Sequence, residues 1–89
     1  MNSSLEAKAI ELALSKEWDR AIEVNKKILE KYPKNVKALL RLGKALIHTK
    51  EYKGATEAFL EVLKKDRINR IAKKNLENIK QKANTSIKV

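Results

Sequence analysis

Apolar residues in this chain recur at three- and four-residue steps in five successive stretches, the spacing of one face of a helix. The clearest stretch has Leu39, Leu42, Gly43 and Leu46 on one side of a helix over residues 36–48, opened by Asn35, a good N-cap. Thr49-Lys50-Glu51 forms a short connection. Tyr52, Ala55, Phe59, Val62 and Leu63 then mark a second helix ending near Lys65. The first third of the chain follows the same plan. Ser3 and Glu6 stand in capping-box spacing before a helix ending near Leu14, and a second helix runs from Trp18 to Tyr32, where Pro33 ends it. A fifth helix starts near Asn69 and carries Ala72, Leu76, Ile79 and Ala83. Each stripe has one neighbour able to cover it, so the pattern predicts an all-α chain of five helices in antiparallel succession.

Self-comparison shows a repeat at an offset of 34 residues. It lays Leu5 on Leu39, Leu12 on Leu46, Lys16-Glu17 on Lys50-Glu51, Ala21 on Ala55, Leu29 on Leu63 and Asn35 on Asn69. Conservative pairs join these: Ala9 with Gly43, Trp18 with Tyr52, Ile28 with Val62. The register continues through Ala38 on Ala72 and Leu42 on Leu76, so a third copy begins and stops after one helix. The organisation expected is a domain over 1–83, comprising unit one (2–35), unit two (36–69) and a closing helix (70–83), followed by a tail over 84–89. The closing helix must cover the open end around Phe59 and Leu63, because two units alone fall short of the three or so a repeat array needs.

The residues Leu39-x2-Leu42-Gly43-x2-Leu46, followed by Ala55-x3-Phe59, resemble the tetratricopeptide repeat family, whose units are 34-residue helix pairs ending in proline. The proline position falls on Pro33 in unit one and on Arg67 in unit two. The resemblance covers residues 3–83 and implies a short right-handed α-solenoid. Unit one departs from the pattern at Lys8, in the place of Leu, and at Asn25, in the place of Phe. Both departures suggest a worn edge repeat whose outer side is open to water. Small residues at Ala9 or Gly43, opposite Ala21 or Ala55, would let the paired helices approach closely. Trp18 and Tyr52 would plug the gaps between units.

Composition narrows the function more than the fold. The formal charge is +10, with 12 bases and 9 acids over residues 1–63 and 9 bases and 2 acids over residues 64–89. This imbalance speaks to partners and encounter rates. With no cysteine the chain can build neither a disulfide nor a thiolate metal site or nucleophile, which fits a reducing interior, and a cytoplasmic location is expected. No apolar run approaches the ~18 residues of a membrane span, and no membrane partner is expected. Two glycines, both within helices, exclude a phosphate-cradling loop. His48 is the single histidine, expected to cap a helix end or sit on the groove wall, and the carboxylates fall on helix starts and outer faces. Asn2-Ser3-Ser4 and Asn84-Thr85-Ser86 are read as chance matches to a glycosylation acceptor. The chain is expected to be no enzyme and to need no cofactor or metal.

The resemblance implies that the first helix of each unit lines a concave side. Helical geometry then assigns to that side Ile10 and Leu14 in unit one, Lys37, Leu40, Arg41, Lys44 and His48 in unit two, and Lys74 on the closing helix. Ser3, Glu6, Ala7, Asn78 and Lys82 complete it. The surface is a trough with an apolar end and a cationic end, suited to a protein partner or an acidic, partly apolar peptide. Some relatives clamp a peptide carboxylate between Lys, Asn and Arg of successive first helices. Lys37 and Arg41 match the last pair, but Ala7 stands where Asn is needed, which argues against that clamp. The alternative is RNA or the ribosome, held by phosphate contacts to Arg67, Arg70, Lys73, Lys80 and Lys82. Self-association through the unfinished end is a third option.

Overall fold

The computed structural model describes residues 3–87, and the side chains of residues 5–82. The Ser3–Glu6 capping box, the position of Ala83 in the closing stripe and both acceptor tripeptides lie outside the described side chains. The helices are α1 (Ser3–Leu14), α2 (Trp18–Lys31), α3 (Val36–His48), α4 (Tyr52–Lys65) and α5 (Arg70–Ile87), and there is no strand among the described residues. The closing helix thus continues past Ala83.

Local chemistry repeats with the sequence. Asn35 Oδ1 accepts the Ala38 amide at 3.0 Å, and Asn69 Oδ1 accepts the Ala72 amide at 2.9 Å, so one N-cap opens both α3 and α5. The α1–α2 and α3–α4 turns are also copies. The Glu17 amide donates to the Leu12 carbonyl at 2.9 Å and the Glu51 amide to the Leu46 carbonyl at 2.8 Å, the reach-back bond that closes a helix C-terminus. That closure needs a left-handed residue. Lys16 (φ 60°) and Lys50 (φ 65°) supply it where glycine is usual. Ser15 Oγ donates to Glu17 Oε2 at 2.9 Å and Thr49 Oγ1 to Glu51 Oε2 at 2.6 Å, pinning each turn.

Each helix packs on the next, α1 also touches α3, and α3 touches α5, whereas α2 and α4 do not approach one another. The first helices therefore line the inner side and the second helices the outer side, as expected of the solenoid. The molecule measures 48 × 28 × 18 Å, and its least dimension corresponds to two layers of helices about 10 Å across. Phe59, Val62, Leu12 and Asn25 are the largest fully buried side chains. Ala72 and Ile79 of α5 join the cluster of Phe59 and Val62, with Leu76 packed against it, so the closing helix covers the end of unit two. In the 34-residue register, Leu39, Gly43 and Leu46 become Lys73, Glu77 and Lys80 on α5. The side of α5 that corresponds to Leu39, Gly43 and Leu46 of α3 is therefore charged.

Two expectations need correction. Asn25 is fully buried, so this part of unit one is not open to water. Its Nδ2 donates to the Ala21 carbonyl at 2.8 Å, and its Oδ1 accepts from Arg41 Nε at 2.9 Å. The polar group in the phenylalanine slot is buried because both its ends are satisfied. Gly43, in turn, is confined by Phe59 more than by Ala55: a Cβ there would lie 2.6 Å from Phe59 Cζ and 2.7 Å from Cε2.

Candidate partner-binding groove

The inner side of α1, α3 and α5 brings together most of the residues that helical geometry assigned to it. Lys37, Lys44 and Lys74 are exposed and Leu40 is half-buried beside them. Among the described residues none of these three lysines enters an ion pair; the pairs formed are Lys8–Glu11, Arg20–Glu17 and Lys64–Glu61. Glu6 of α1 is half-buried and close enough to favour the charged form of Arg41. At the other end of the trough Ile10 is 44% and Leu14 81% exposed, and with Ala7, Glu11 and Ser15 they line an open depression of about 570 Å³.

Two of the expected groove residues are already engaged inside the fold. Arg41 reaches into the seam between units to hold Asn25, and its Nη2 is buried without an acceptor among the described residues. Burial holds this guanidinium below the usual arginine range, against the pull of Glu6. The imidazole of His48 lies flat on the Trp18 indole, with ring centroids 4.1 Å apart and planes within 5°. Trp18 thus bridges unit one to unit two, the plugging role expected of it, and His48 is its cover.

Arg67, Arg70, Lys73, Lys80 and Lys82 are all exposed. Arg67 lies in the α4–α5 turn and the others on α5, with Lys80 about 15 Å from Arg70 at 1.5 Å per residue. Among the described residues no three His, Asp or Glu side chains converge as metal ligands.

A depression of about 710 Å³ opens on the outer side and was not foreseen. Its lining includes Leu39, Leu42 and Leu46 of α3, which are only 6–9% exposed, beside the small residues Gly54 and Ala58 of α4, where α2 and α4 make no contact. Lys26, Lys53, Glu57 and Glu61 stand on its rim, an even mixture of signs.

Comparison with known proteins agrees with this architecture. No curated protein matches the chain. A model of the tetratricopeptide repeat family matches residues 12–76, a span running from the last turn of α1 into α5 and taking in both inter-unit seams. That match covers most of the chain, and with five helices in the repeat's arrangement it shows that the protein belongs to the tetratricopeptide repeat family.

Proposed function

We propose that the protein is an interaction module that holds an acidic, partly apolar segment of a protein partner along the inner side of α1, α3 and α5. Family membership supports the coarser part, a protein–protein interaction module. The observation that carries the finer part is the set of exposed lysines Lys37, Lys44 and Lys74, none in an ion pair among the described residues, with half-buried Leu40. An acidic side chain reaching any of them forms a charge-assisted bond at an exposed rim, where it favours encounter and register more than affinity. Ile10 and Leu14 offer apolar area to the same segment. Arg41, held by Asn25, contributes charge from a fixed position and shapes the wall.

The test is fluorescence anisotropy with a labelled peptide of alternating Glu and Leu. Lys37→Glu with Lys44→Glu is expected to abolish binding, while Arg67→Glu with Lys80→Glu changes it little. Arg41 is left intact because reversing it would break the seam with Asn25. Equal losses from both pairs, together with binding of single-stranded RNA that falls steeply with salt, would transfer the function to phosphate contacts on α5.

A further inference from the structure

Successive helices alternate in direction, so the α2–α3 and α4–α5 turns share one end of the molecule and the α1–α2 and α3–α4 turns share the other. Charge is divided unequally between these ends. Residues 31–37 and 65–71 hold six cations, Lys31, Lys34, Lys37, Lys65, Arg67 and Arg70, against one acid, Asp66. The matching segments of the opposite end, 14–20 and 48–54, hold four cations and three acids.

All six cations are exposed, and none forms an ion pair among the described residues. Asp66 does not neutralise them: its Oδ1 accepts the Ile68 amide at 3.4 Å and its Oδ2 accepts Asn69 Nδ2 at 3.2 Å, inside its own turn. The two turns also converge. The Lys65 ammonium is held below the usual lysine range first by partial desolvation and then by the neighbouring Lys34. Helix dipoles account for Lys31 and Lys65, which sit at C-terminal ends, but act against Lys37 and Arg70 in the first turns of α3 and α5. Fold stability leaves the cluster unexplained.

Apolar side chains stand among these charges. Ile68, at the tip of the α4–α5 turn, is 77% exposed, Ile71 56% and Tyr32 44%. Tyr32 and Pro33, with Lys31, Lys34 and Asn35, line a depression of about 590 Å³ beside them. We propose that this end docks on an anionic lipid bilayer, with the six cations on the headgroups and Ile68 and Tyr32 entering the headgroup boundary. Cations attracted by anionic lipid, combined with apolar side chains at the boundary, are the two signals that surface anchoring takes. Single-stranded nucleic acid would use the cations, but its sequence-tolerant affinity comes from aromatic stacking, and the most exposed residue here is aliphatic. Docking needs no spanning helix, and none of the described residues forms one long and apolar enough. The inference departs from the sequence expectation that no membrane is involved.

The experiment is co-sedimentation of the full chain with phosphatidylcholine vesicles with and without phosphatidylserine, beside anisotropy with single-stranded RNA. Binding is expected to the serine-lipid vesicles alone and to fall as salt rises. Lys34→Glu with Arg67→Glu should lower the partition coefficient at least about 25-fold, from roughly fivefold per lost cation. Ile68→Ser, which leaves the charge unchanged, should lower it about fivefold. Lys80→Glu with Lys82→Glu, on the last described turns of α5, should change it far less, and all variants should keep the helical circular dichroism spectrum. Failure to bind serine-lipid vesicles overturns the proposal. So does an unaltered partition for Ile68→Ser, which would reduce the surface to charge alone, and so does RNA binding tighter than vesicle binding with the same dependence on Lys34 and Arg67.

Discussion

Adding one methyl group at Gly43 tests the packing between the two helices of unit two, because two effects of similar size oppose each other there. In an exposed helix, Gly→Ala gains about 1 kcal/mol from helix propensity. At this position the new Cβ would lie 2.6, 2.7 and 3.0 Å from Cζ, Cε2 and Cε1 of Phe59, a whole ring edge met end on. Phe59 is fully buried in the central cluster, so its ring cannot retreat without displacing neighbours. Overpacking of this kind costs about 1–3 kcal/mol, and the clash should outweigh propensity. With three ring atoms at 3.0 Å or less the clash falls in the upper part of that range, about 2–3 kcal/mol, so a net loss of about 1–2 kcal/mol is expected for Gly43→Ala. In a domain of this size that lowers the melting temperature by about 4–15 °C, readable by circular dichroism at the helix minimum. The double variant Gly43→Ala with Phe59→Leu should be more stable than the sum of the single losses by about 1 kcal/mol, since the smaller side chain leaves room for the methyl. Unit one shows the same trade in its own sequence, with Ala9 and Asn25 at the positions of Gly43 and Phe59. An unchanged or raised melting temperature for the single variant, or strictly additive losses, would refute the argument.

Asn25→Ala should cost about 2–3 kcal/mol in urea denaturation by leaving the Arg41 Nε without its acceptor, and adding Arg41→Met should recover part of it by removing the stranded charge. Lys50→Gly should raise stability by about 1 kcal/mol, because glycine adopts the left-handed conformation without a Cβ penalty; a lower melting temperature would contradict this. Truncation after Asp66 should abolish the cooperative thermal transition, because Ala72 and Ile79 no longer cover the Phe59 cluster and baring each large apolar side chain costs about 1.5–3 kcal/mol. Glu17 is held below the usual glutamate range first by Ser15 and then by Arg20, so its small contribution is present above the unfolded pKa and lost as pH falls through the lower folded one. Ser15→Ala should move the carboxyl titration seen by NMR upward, and an unmoved titration would discount that hydrogen bond.

The elements that could be read from the sequence are those set by local chemistry. The bounds of α3 and α4 follow from Asn35 and from the stripes on either side of Thr49-Lys50-Glu51, and the same reasoning places Asn69 before α5. What escaped the sequence is tertiary. Asn25 reads as an exposed departure because its partner, Arg41, lies in another helix and itself reads as a groove cation. The outer depression lies where α2 and α4 make no contact, which no single helix pattern reveals. The left-handed lysines were hidden for a different reason: glycine is the usual signal of that turn, and here side-chain bonds from Ser15 and Thr49 hold the turn without it.

The bond between Asn25 and Arg41 also bears on how a repetitive chain avoids misassembly. The α2–α3 and α4–α5 seams are built on one pattern, and a folding chain could dock α5 on α2 or set α3 against α4 of a second molecule. In the 34-residue register Arg41 corresponds to Asn75 and Asn25 to Phe59. Docking α5 on α2 would oppose two amides and leave Asn25 without its guanidinium, whereas docking α3 on α4 would drive a charged group against a phenyl ring. Either error forfeits the charge-assisted bond between Asn25 and Arg41, worth about 1.5–3 kcal/mol. One polar pair at one seam therefore gives two similar joints different identities, and biases the units toward joining in order within one chain over exchange between chains.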